Sequence, residues 1–258
     1  MKKYSLFQAP YLSFFSRAFY HDVGKNWKGV AFGYLLLLLA VLWIPVMITA
    51  HMKLSDFITR EAPKIVNQIP KITITNGEVS IDKPVPYSII DPESGTEILL
   101  IDTSGQTTSV DQTEALALLT KDKLMIRQQH RSEIRVYDLS SVDAVTIDSD
   151  MARTIVESFR RWFAVFAYPF ALAGSYAFRI VQALIYGLFG MLFATILKVT
   201  LDYPALLRLS VMAVTPVLII TTIATVFSLS LPMPWLLGFG IAMAYLFFGV
   251  RAQKVNAA

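Results

Sequence analysis

Long apolar runs alternate with one polar central segment along this chain. Residues 29–50 carry no charged side chain, and neither do residues 209–231 or 232–250. Each run approaches the ~20 residues that an α-helix needs to cross the hydrocarbon core of a bilayer. A further run, 162–197, contains one charged residue, Arg179. The pattern predicts an α-helical integral membrane protein.

The run 162–197 leaves the number of crossings open. As one helix it would measure ~54 Å against a hydrocarbon core of ~30 Å. Either it folds back near Arg179 and crosses twice, or its first part lies at the interface and the whole chain crosses four times. With four crossings, Lys198, Arg208 and Arg251 all lie in the cytosol with the N-terminus, as the positive-inside bias favours. We therefore predict four transmembrane helices and keep five as the alternative.

The same pattern divides the chain into five parts. Residues 1–28 carry five Lys/Arg and aromatic side chains at helical spacing, which predicts a short interfacial helix on the cytosolic side. Residues 29–50 are predicted as a transmembrane helix and 51–160 as an extracytoplasmic α+β domain. Residues 161–250 follow as a C-terminal helix bundle, and 251–258 as a cytosolic tail.

Within 51–160, the spacing of apolar and turn residues predicts short strands. Alternating Ile and Val residues flank Asn76-Gly77, which is the strongest short signal for a β-hairpin. Further strands are predicted at 86–90, 97–102, 124–127, 133–137 and 142–147, and short helices at 56–68 and 111–119.

Charge separates the polar segment from the apolar runs. Residues 51–161 carry 13 Lys/Arg and 17 Asp/Glu, a net charge of −4, while the rest carries 10 Lys/Arg and two Asp, a net charge of +8. Basic residues beside spans set orientation and contact anionic lipid, so they do not indicate nucleic acid as a partner. The chain has no Cys, which excludes disulfides and thiolate chemistry.

No constellation of residues indicates catalysis or a metal site. His21, His51 and His130 lie far apart, and none has a second ligand at a metal-binding spacing. The sequence from Asp102 to Gly105 faintly resembles an aspartic-protease turn, but it has an extra residue and no second copy. We therefore expect no catalytic residues, no cofactor and no enzyme activity.

Polar residues inside or beside the apolar runs are the first candidates for function. Arg179 and Gln182 lie deepest in such a run, and an intramembrane charge is a functional hypothesis by default. The alternative is an Arg that extends to an interface. In the connection before residue 209, Asp202 could pair with Lys198 or Arg208 and fix two helices together.

Small residues and a proline are the candidates for helix packing. Pro216, inside an apolar run, predicts a kink. Steps of four, three and four predict one narrow helix face where a neighbouring backbone can approach closely; its residues are Ala183, Gly187, Gly190 and Ala194.

Three segments of the chain carry a resemblance to a known family: SFFSRAFYHDVGKNWKG, IDTSGQ…LLTKDKLMIRQ…IRVYDLSSV, and LDYPALLRLSVMAVTPVLI followed by IAMAYLFFGVRAQK. They resemble a bacterial family of unknown function, number 1189 in the domain-of-unknown-function series, in which some Gram-positive members are labelled maltodextrin-utilisation membrane proteins. The region of Tyr203, Arg208 and Pro216 is also similar to the Yip family of membrane proteins, where a Tyr-rich cytosolic connection precedes a Pro-containing span. The resemblance implies a bacterial inner-membrane protein and supplies no catalytic residues.

These observations favour a non-enzymatic sensor, scaffold or accessory subunit of the inner membrane. Its expected partners are the lipid bilayer and either another membrane protein or further copies of itself. The alternative is a component of a small-solute transporter or permease, in which Arg179, Gln182 and Asp202 would line or gate a polar path.

Overall fold

A computed structural model of the protein describes residues 2–128 and 133–254, and it has two compact units. Met1–Ala50 and Ala164–Ala258 form the first, which we call the helical unit. His51–Phe163 form the second, the β unit. Because α-helices that begin in one unit end in the other, the unit boundaries do not coincide with helix ends.

The described residues contain six α-helices, of which four are long and apolar enough to cross a membrane. The two short ones are α1 (Ala9–Leu12) and α2 (Arg17–Asn26). The four long ones are α3 (Val30–Val66), α4 (Ser149–Leu197), α5 (Tyr203–Val226) and α6 (Pro234–Arg251).

The central element of the helical unit is α5. In its most apolar 18-residue stretch 61% of the residues are buried, against 22–33% in the other three long helices. A helix that is apolar all round is suited to such a position. Leu206, Leu209 and Met212 of α5 are fully buried, and α2 and α6 both pack against this helix. The core of the unit is therefore built around α5.

The two longest helices are continuous where breaks were predicted. α4 is a single helix of 49 residues, so the chain does not fold back near Arg179 as the five-crossing alternative required. The hydroxyl groups of Tyr168 and Tyr176 donate to the α3 carbonyls of Ala40 (2.8 Å) and Phe32 (3.3 Å). These bonds hold the two helices together within the helical unit.

The short helix predicted at 56–68 is the end of α3 rather than a separate element. Residues 51–55 contain neither Gly nor Pro, and nothing else in their sequence ends a helix. The prediction placed a break there because charged residues return, and a change of polarity does not interrupt the backbone hydrogen bonds of a helix.

The N-terminal segment forms α1 and α2 instead of one interfacial helix. Ser16 separates them, because its side chain accepts from the Phe19 amide (3.2 Å) and caps α2. Phe7 and Tyr11 are exposed, whereas Phe19 and Trp27 are fully buried in the helical unit. Some aromatic side chains of this segment are therefore exposed, and others belong to the core of the helical unit.

Eight strands of the β unit form two sheets, and they include a strand at every predicted position. A three-stranded antiparallel sheet has the order β2-β1-β8, and a five-stranded sheet has the order β3-β4-β5-β6-β7 with one parallel pair, β4 and β5. The strands are β1 (Ile72–Thr75), β2 (Glu78–Ile81), β3 (Tyr87–Ile90), β4 (Glu97–Ile101), β5 (Ala117–Leu119), β6 (Lys123–Arg127), β7 (Ile134–Asp138) and β8 (Ala144–Ile147).

The hairpin prediction at Asn76-Gly77 is confirmed. The register pairs Ile74 with Val79 across the turn, and both turn residues have positive φ, 50° for Asn76 and 81° for Gly77. Such angles fit the right-handed twist of the strands and are adopted readily by Asn and Gly. A Cβ on Gly77 would lie 2.7 Å from the Ser140 Cα, so only Gly fits.

The helix predicted at 111–119 is wrong. A single 3-10 turn, Val110–Gln112, is closed by a capping box with Ser109, after which the chain becomes extended and forms β5. The guanidinium of Arg127 donates to the carbonyl oxygens of Val110 (2.6 Å) and Thr113 (2.8 Å). Those carbonyls thus have a side-chain partner. The pairing of β5 with β4 and β6 outweighs the helical spacing of the apolar residues in this segment.

Asp102 closes the turn after β4. The residue is fully buried, and its carboxylate accepts from the Ser104 amide (2.9 Å), the Ser104 hydroxyl (2.6 Å) and the Thr107 amide (2.8 Å). Burial alone would raise the pKa of this carboxyl, but these hydrogen bonds to the ionised form lower it below its ordinary value. The carboxylate therefore stabilises the turn, as predicted for a strand that ends in a polar turn.

We expect Asp102→Asn to lower the free energy of unfolding at neutral pH by about 1–3 kcal/mol, because the charge is lost and one of the two acceptor oxygens becomes an NH2 donor that cannot accept from the Ser104 or Thr107 amide. Since its pKa is lowered in the folded state, the Asp102 carboxylate stabilises the protein above the unfolded-state pKa of about 4, and this contribution is lost as the pH falls through the folded-state pKa.

The measurement is thermal unfolding of the full chain in detergent at pH 7 and pH 3. The exposed Asp143 gives the control, Asp143→Asn. An equal loss in both variants at pH 7 would contradict this role.

Candidate functional site

Arg179 begins a chain of hydrogen-bonded side chains along α4. Its guanidinium donates to Gln182 Oε1 (2.5 Å), and the Gln182 amide donates to the Tyr186 hydroxyl (2.8 Å). Spacings of three and four residues place all three side chains on one face of the helix. The guanidinium carbon also lies 5.3 Å from the centre of the Phe178 ring. The sequence singled out Arg179 and Gln182, and the structure brings them together.

A cleft of about 240 Å³ adjoins Arg179 in the helical unit. Apolar and polar residues both line this cleft, which we call the Arg179 cleft. They are Leu39, Leu42, Trp43 and Val46 of α3, Ser175 and Arg179 of α4, and Leu218, Thr221, Thr222 and Thr225 of α5. The sequence analysis missed its hydroxyl residues, although Thr221, Thr222 and Thr225 are a cluster of polar residues in an otherwise apolar run.

Arg179 has hydrogen-bonding capacity that the protein does not use. Its Nε atom is buried and has no hydrogen-bond partner in the described part of the chain. None of the ion pairs among the described residues includes Arg179. A guanidinium has five N–H donors in a planar fork, so this side chain can bind an anionic or polar group.

Asp202 and Tyr203 start α5. The Asp202 side chain accepts from the Ala205 amide (3.0 Å) and caps the helix. Among the described residues, it forms no ion pair with Lys198 or Arg208. The Tyr203 hydroxyl donates to the carbonyl of Leu184 on α4 (2.9 Å). Both residues fix the junction of α4 and α5.

The four small residues of α4 lie on the face that packs against α5. Ala183, Gly187, Gly190 and Ala194 are all buried. A Cβ on Gly187 would lie 2.9 Å from the Tyr203 ring, and one on Gly190 would lie 3.2 Å from Leu206. The side chains of Tyr203 and Leu206 occupy the space beside these two glycines, and the close approach of a neighbouring backbone stays a prediction.

Arg208 forms a second polar site, with partners that the sequence analysis did not find. The residue is 8% exposed, and its guanidinium donates to the carbonyl oxygens of Val23 (3.3 Å) and Gly24 (2.5 Å) in the last turn of α2. The C-terminus of a helix carries a partial negative charge and unpaired carbonyls. Arg208 thus stabilises the end of α2.

Tyr20 and Gln253 complete this arrangement, which we call the N-terminal cluster (Tyr20, Arg208 and Gln253). The Tyr20 hydroxyl donates to the Ser13 carbonyl (2.9 Å) and lies 3.4 Å from the Met212 oxygen. The amide of Gln253 donates to the Tyr20 carbonyl (2.7 Å). The cluster therefore connects α2 with α5 and with the residues that follow α6.

Asp22 holds the first residues of the chain against α2. Its carboxylate accepts from the Trp27 indole (2.9 Å), the Asn26 amide (2.8 Å) and the Lys3 backbone amide (3.1 Å). Burial alone would raise the pKa of the Asp22 carboxyl, but the hydrogen bonds lower it. The lowered pKa keeps the carboxylate ionised at neutral pH, as an acceptor for these donors.

Among the described residues, no group of three or more His, Cys, Asp or Glu side chains could hold a metal ion. His21 and His51 lie in different units, and His130 lies outside the described residues. The candidate site is the Arg179 cleft, which is lined by one cationic side chain and several hydroxyl groups.

Four helices of membrane length and a small β unit are compatible with a multi-pass membrane protein. The family model described as "Protein of unknown function (DUF1189)" matches residues 7–250, so the chain belongs to that family. An "Uncharacterized protein RP489" of Rickettsia prowazekii (strain Madrid E) is 27% identical over 126 residues, which are 45% of this chain and 43% of the relative. The chain thus matches less than half the length of that relative. No solved structure matches, and the similarity to the Yip family stays a prediction.

The N-terminal cluster predicts that Gly249 of α6 cannot be enlarged. A Cβ at this position would lie 2.7 Å from Cδ1 of the buried Tyr20, whereas a Cβ on Gly240 of the same helix would meet nothing within 4 Å. We expect Gly249→Ala to destabilise the protein by about 1–3 kcal/mol through overpacking. Gly240→Ala should be neutral or stabilise by up to about 1 kcal/mol, because Ala favours helix. Thermal unfolding of the full chain in detergent measures both, and similar effects on the two variants would contradict the predicted contact.

Proposed function

We propose that this protein is a multi-pass protein of the bacterial inner membrane, with its N-terminus in the cytosol and the β unit outside it. Support comes from the four helices that are long and apolar enough to cross a bilayer. The five Lys/Arg residues before the first span and those after α4 and α6 lie on one side with this topology, as the positive-inside bias requires.

We further propose that it acts without catalysis, as a sensor, scaffold or accessory subunit that binds a partner protein through the β unit. The observation that carries this proposal is the outer edge of β7. In the described residues no strand pairs with that edge, and the backbone of an unpaired edge strand is a template for a strand of another chain.

The two edges of the five-stranded sheet differ in a way that supports this assignment. At β3, the Gln68 side chain accepts from the Ile90 amide (3.0 Å) and donates to the Ile90 carbonyl (2.8 Å), so the backbone groups of the last residue of that strand have a partner. At β7, Val136 is 54% and Tyr137 47% exposed. An exposed apolar edge strand is a liability unless a partner covers it, so β7 is the better candidate for a binding edge.

Contacts within the helical unit also support a structural role for this protein. Arg208, Asp202 and Tyr203 all bind backbone groups of the unit itself, and the small residues of α4 are occupied by packing. These contacts stabilise one arrangement of the helices, which suits an anchor for a binding domain.

The alternative function is a component of a small-solute transporter or permease. The Arg179 cleft favours it, because a cation and hydroxyl groups line an apolar helical unit there. Unchanged solute uptake in cells that carry Arg179→Leu at a normal protein level would exclude this function.

The proposed topology predicts which positions a membrane-impermeant thiol reagent reaches in intact cells. The chain has no Cys, so single cysteines can be placed at the exposed positions Ser94, Thr200 and Lys254. We expect labelling at Ser94 alone in intact cells and at all three positions after permeabilisation, which is the control for accessibility. Labelling of Thr200 or Lys254 in intact cells would overturn the four-crossing topology with a cytosolic N-terminus.

The proposed partner site predicts position-specific crosslinking from β7. A photo-crosslinking amino acid at Val136 should give one discrete adduct with another protein in intact membranes, because a strand seated on β7 lies within reach of this side chain. The same residue at Ser94, in the exposed turn between β3 and β4, should not give that adduct. A crosslinking pattern without adducts at Val136 and Tyr137, with folded protein at a normal level, would count against a partner on β7.

A further inference from the structure

We propose that the Arg179 cleft is a binding site for one anionic phospholipid, whose phosphate contacts Arg179 and whose chains lie along the apolar wall. This inference concerns the helical unit and goes beyond the proposed function of the β unit. It depends on the chemistry of the cleft lining, on its size and on its place along the helices.

The polar side of the cleft matches a phosphate group. Arg179 uses its guanidinium for Gln182 Oε1 only, and its Nε atom is buried without a partner in the described residues. None of the hydrogen bonds among described residues involves the hydroxyl groups of Ser175 and Thr222, which also line the cleft. A guanidinium binds phosphate oxygens through parallel N–H donors, and hydroxyl groups add further donors. A neutral headgroup with no accessible anionic oxygen would leave these donors unused.

Thr221 and Thr225 have a different role from Thr222. Their hydroxyl groups donate to α5 carbonyls, those of Val217 (2.8 Å) and Thr221 (2.9 Å) respectively. Thr222 is therefore the threonine in this group that is free to bind a ligand, and this difference makes it a specific target for a test.

The apolar part of the cleft lining matches an acyl chain. Leu39, Leu42 and Val46 of α3 and Leu218 of α5 form an apolar wall. In the same stretches, Ile44 and Ile48 of α3 and Ile223 of α5 are exposed, as expected where a helix faces lipid. The cleft therefore has an apolar and a cationic side, which is the polarity of a phospholipid.

Position and size both favour a lipid over a dissolved solute. Thr221, Thr222 and Thr225 occupy the last two turns of α5, which ends at Val226, so the cleft lies near one end of a membrane-length helix, where headgroups begin. Its volume of about 240 Å³ is below the ~300–1,000 Å³ of pockets that enclose a whole small molecule. Such a cleft fits a headgroup and the first part of a chain that continues into the bilayer.

The test uses native mass spectrometry of the full-length protein in detergent, titrated with dioleoyl phosphatidylglycerol or dioleoyl phosphatidylcholine. We expect one phosphatidylglycerol to bind at least about tenfold more tightly than phosphatidylcholine, because the choline ammonium of phosphatidylcholine offsets the phosphate charge that Arg179 would pair with. Arg179→Gln should abolish this preference. The matched control is Arg251→Gln, which removes the same charge from an exposed position at the end of α6 and should retain it.

A second variant keeps the proposal falsifiable if Arg179→Gln does not fold, as judged by gel filtration and thermal unfolding. Thr222→Val removes one hydroxyl at nearly constant volume and should weaken phosphatidylglycerol binding severalfold. Unchanged affinity in either folded variant would overturn the proposal, and so would an equal loss in Arg251→Gln, which would mean non-specific charge attraction. Competition by millimolar inorganic phosphate would instead identify a site for a free anion and overturn the assignment to lipid.

Discussion

The helical unit depends on how the buried guanidinium of Arg208 is compensated. An ionised side chain removed from water must be paired or fully hydrogen-bonded, because desolvation is otherwise too unfavourable. Arg208 has no carboxylate partner among the described residues and donates instead to the carbonyls of Val23 and Gly24 at the end of α2. The partial negative charge of that helix terminus supplies the counter-charge. The N-terminal segment is therefore part of the core of the helical unit.

The proline of α5 contributes to the same arrangement. Pro216 has no N–H, so the carbonyl four residues earlier, that of Met212, loses its usual helical donor. The Tyr20 hydroxyl of α2 lies 3.4 Å from that oxygen, and the Gln253 amide binds the Tyr20 carbonyl. Gly249 leaves room for the Tyr20 ring. Pro216, Gly249 and Tyr20 thus form one arrangement. The role of each residue is evident only together with the other two.

Features set by residues close together in the sequence could be predicted, and contacts between distant parts of the chain could not. Three charge-free runs and a fourth run with one charge predicted the four long helices, and Asn76-Gly77 predicted its hairpin, because each signal is local. The partner of Arg208 lies 184 residues away at Gly24, so no local pattern indicates it. Aromatic side chains at helical spacing look the same whether they face lipid or protein, and this is why the N-terminal segment was assigned to the headgroup layer.

The candidate site was only partly predictable for the same reason. Arg179 and Gln182 are neighbours on one helix, so their pairing follows from spacing, but the cleft needs side chains from α3, α4 and α5. The decisive difference between Arg179 and Arg208 is also invisible in the sequence, since both are single cations in apolar surroundings. Arg208 lies against a helix terminus whose carbonyls occupy its donors. Arg179 lies beside a cleft, with one bound acceptor and a buried donor that the described protein does not use. The proposed phospholipid would supply Arg179 with the counter-charge that no carboxylate among the described residues provides.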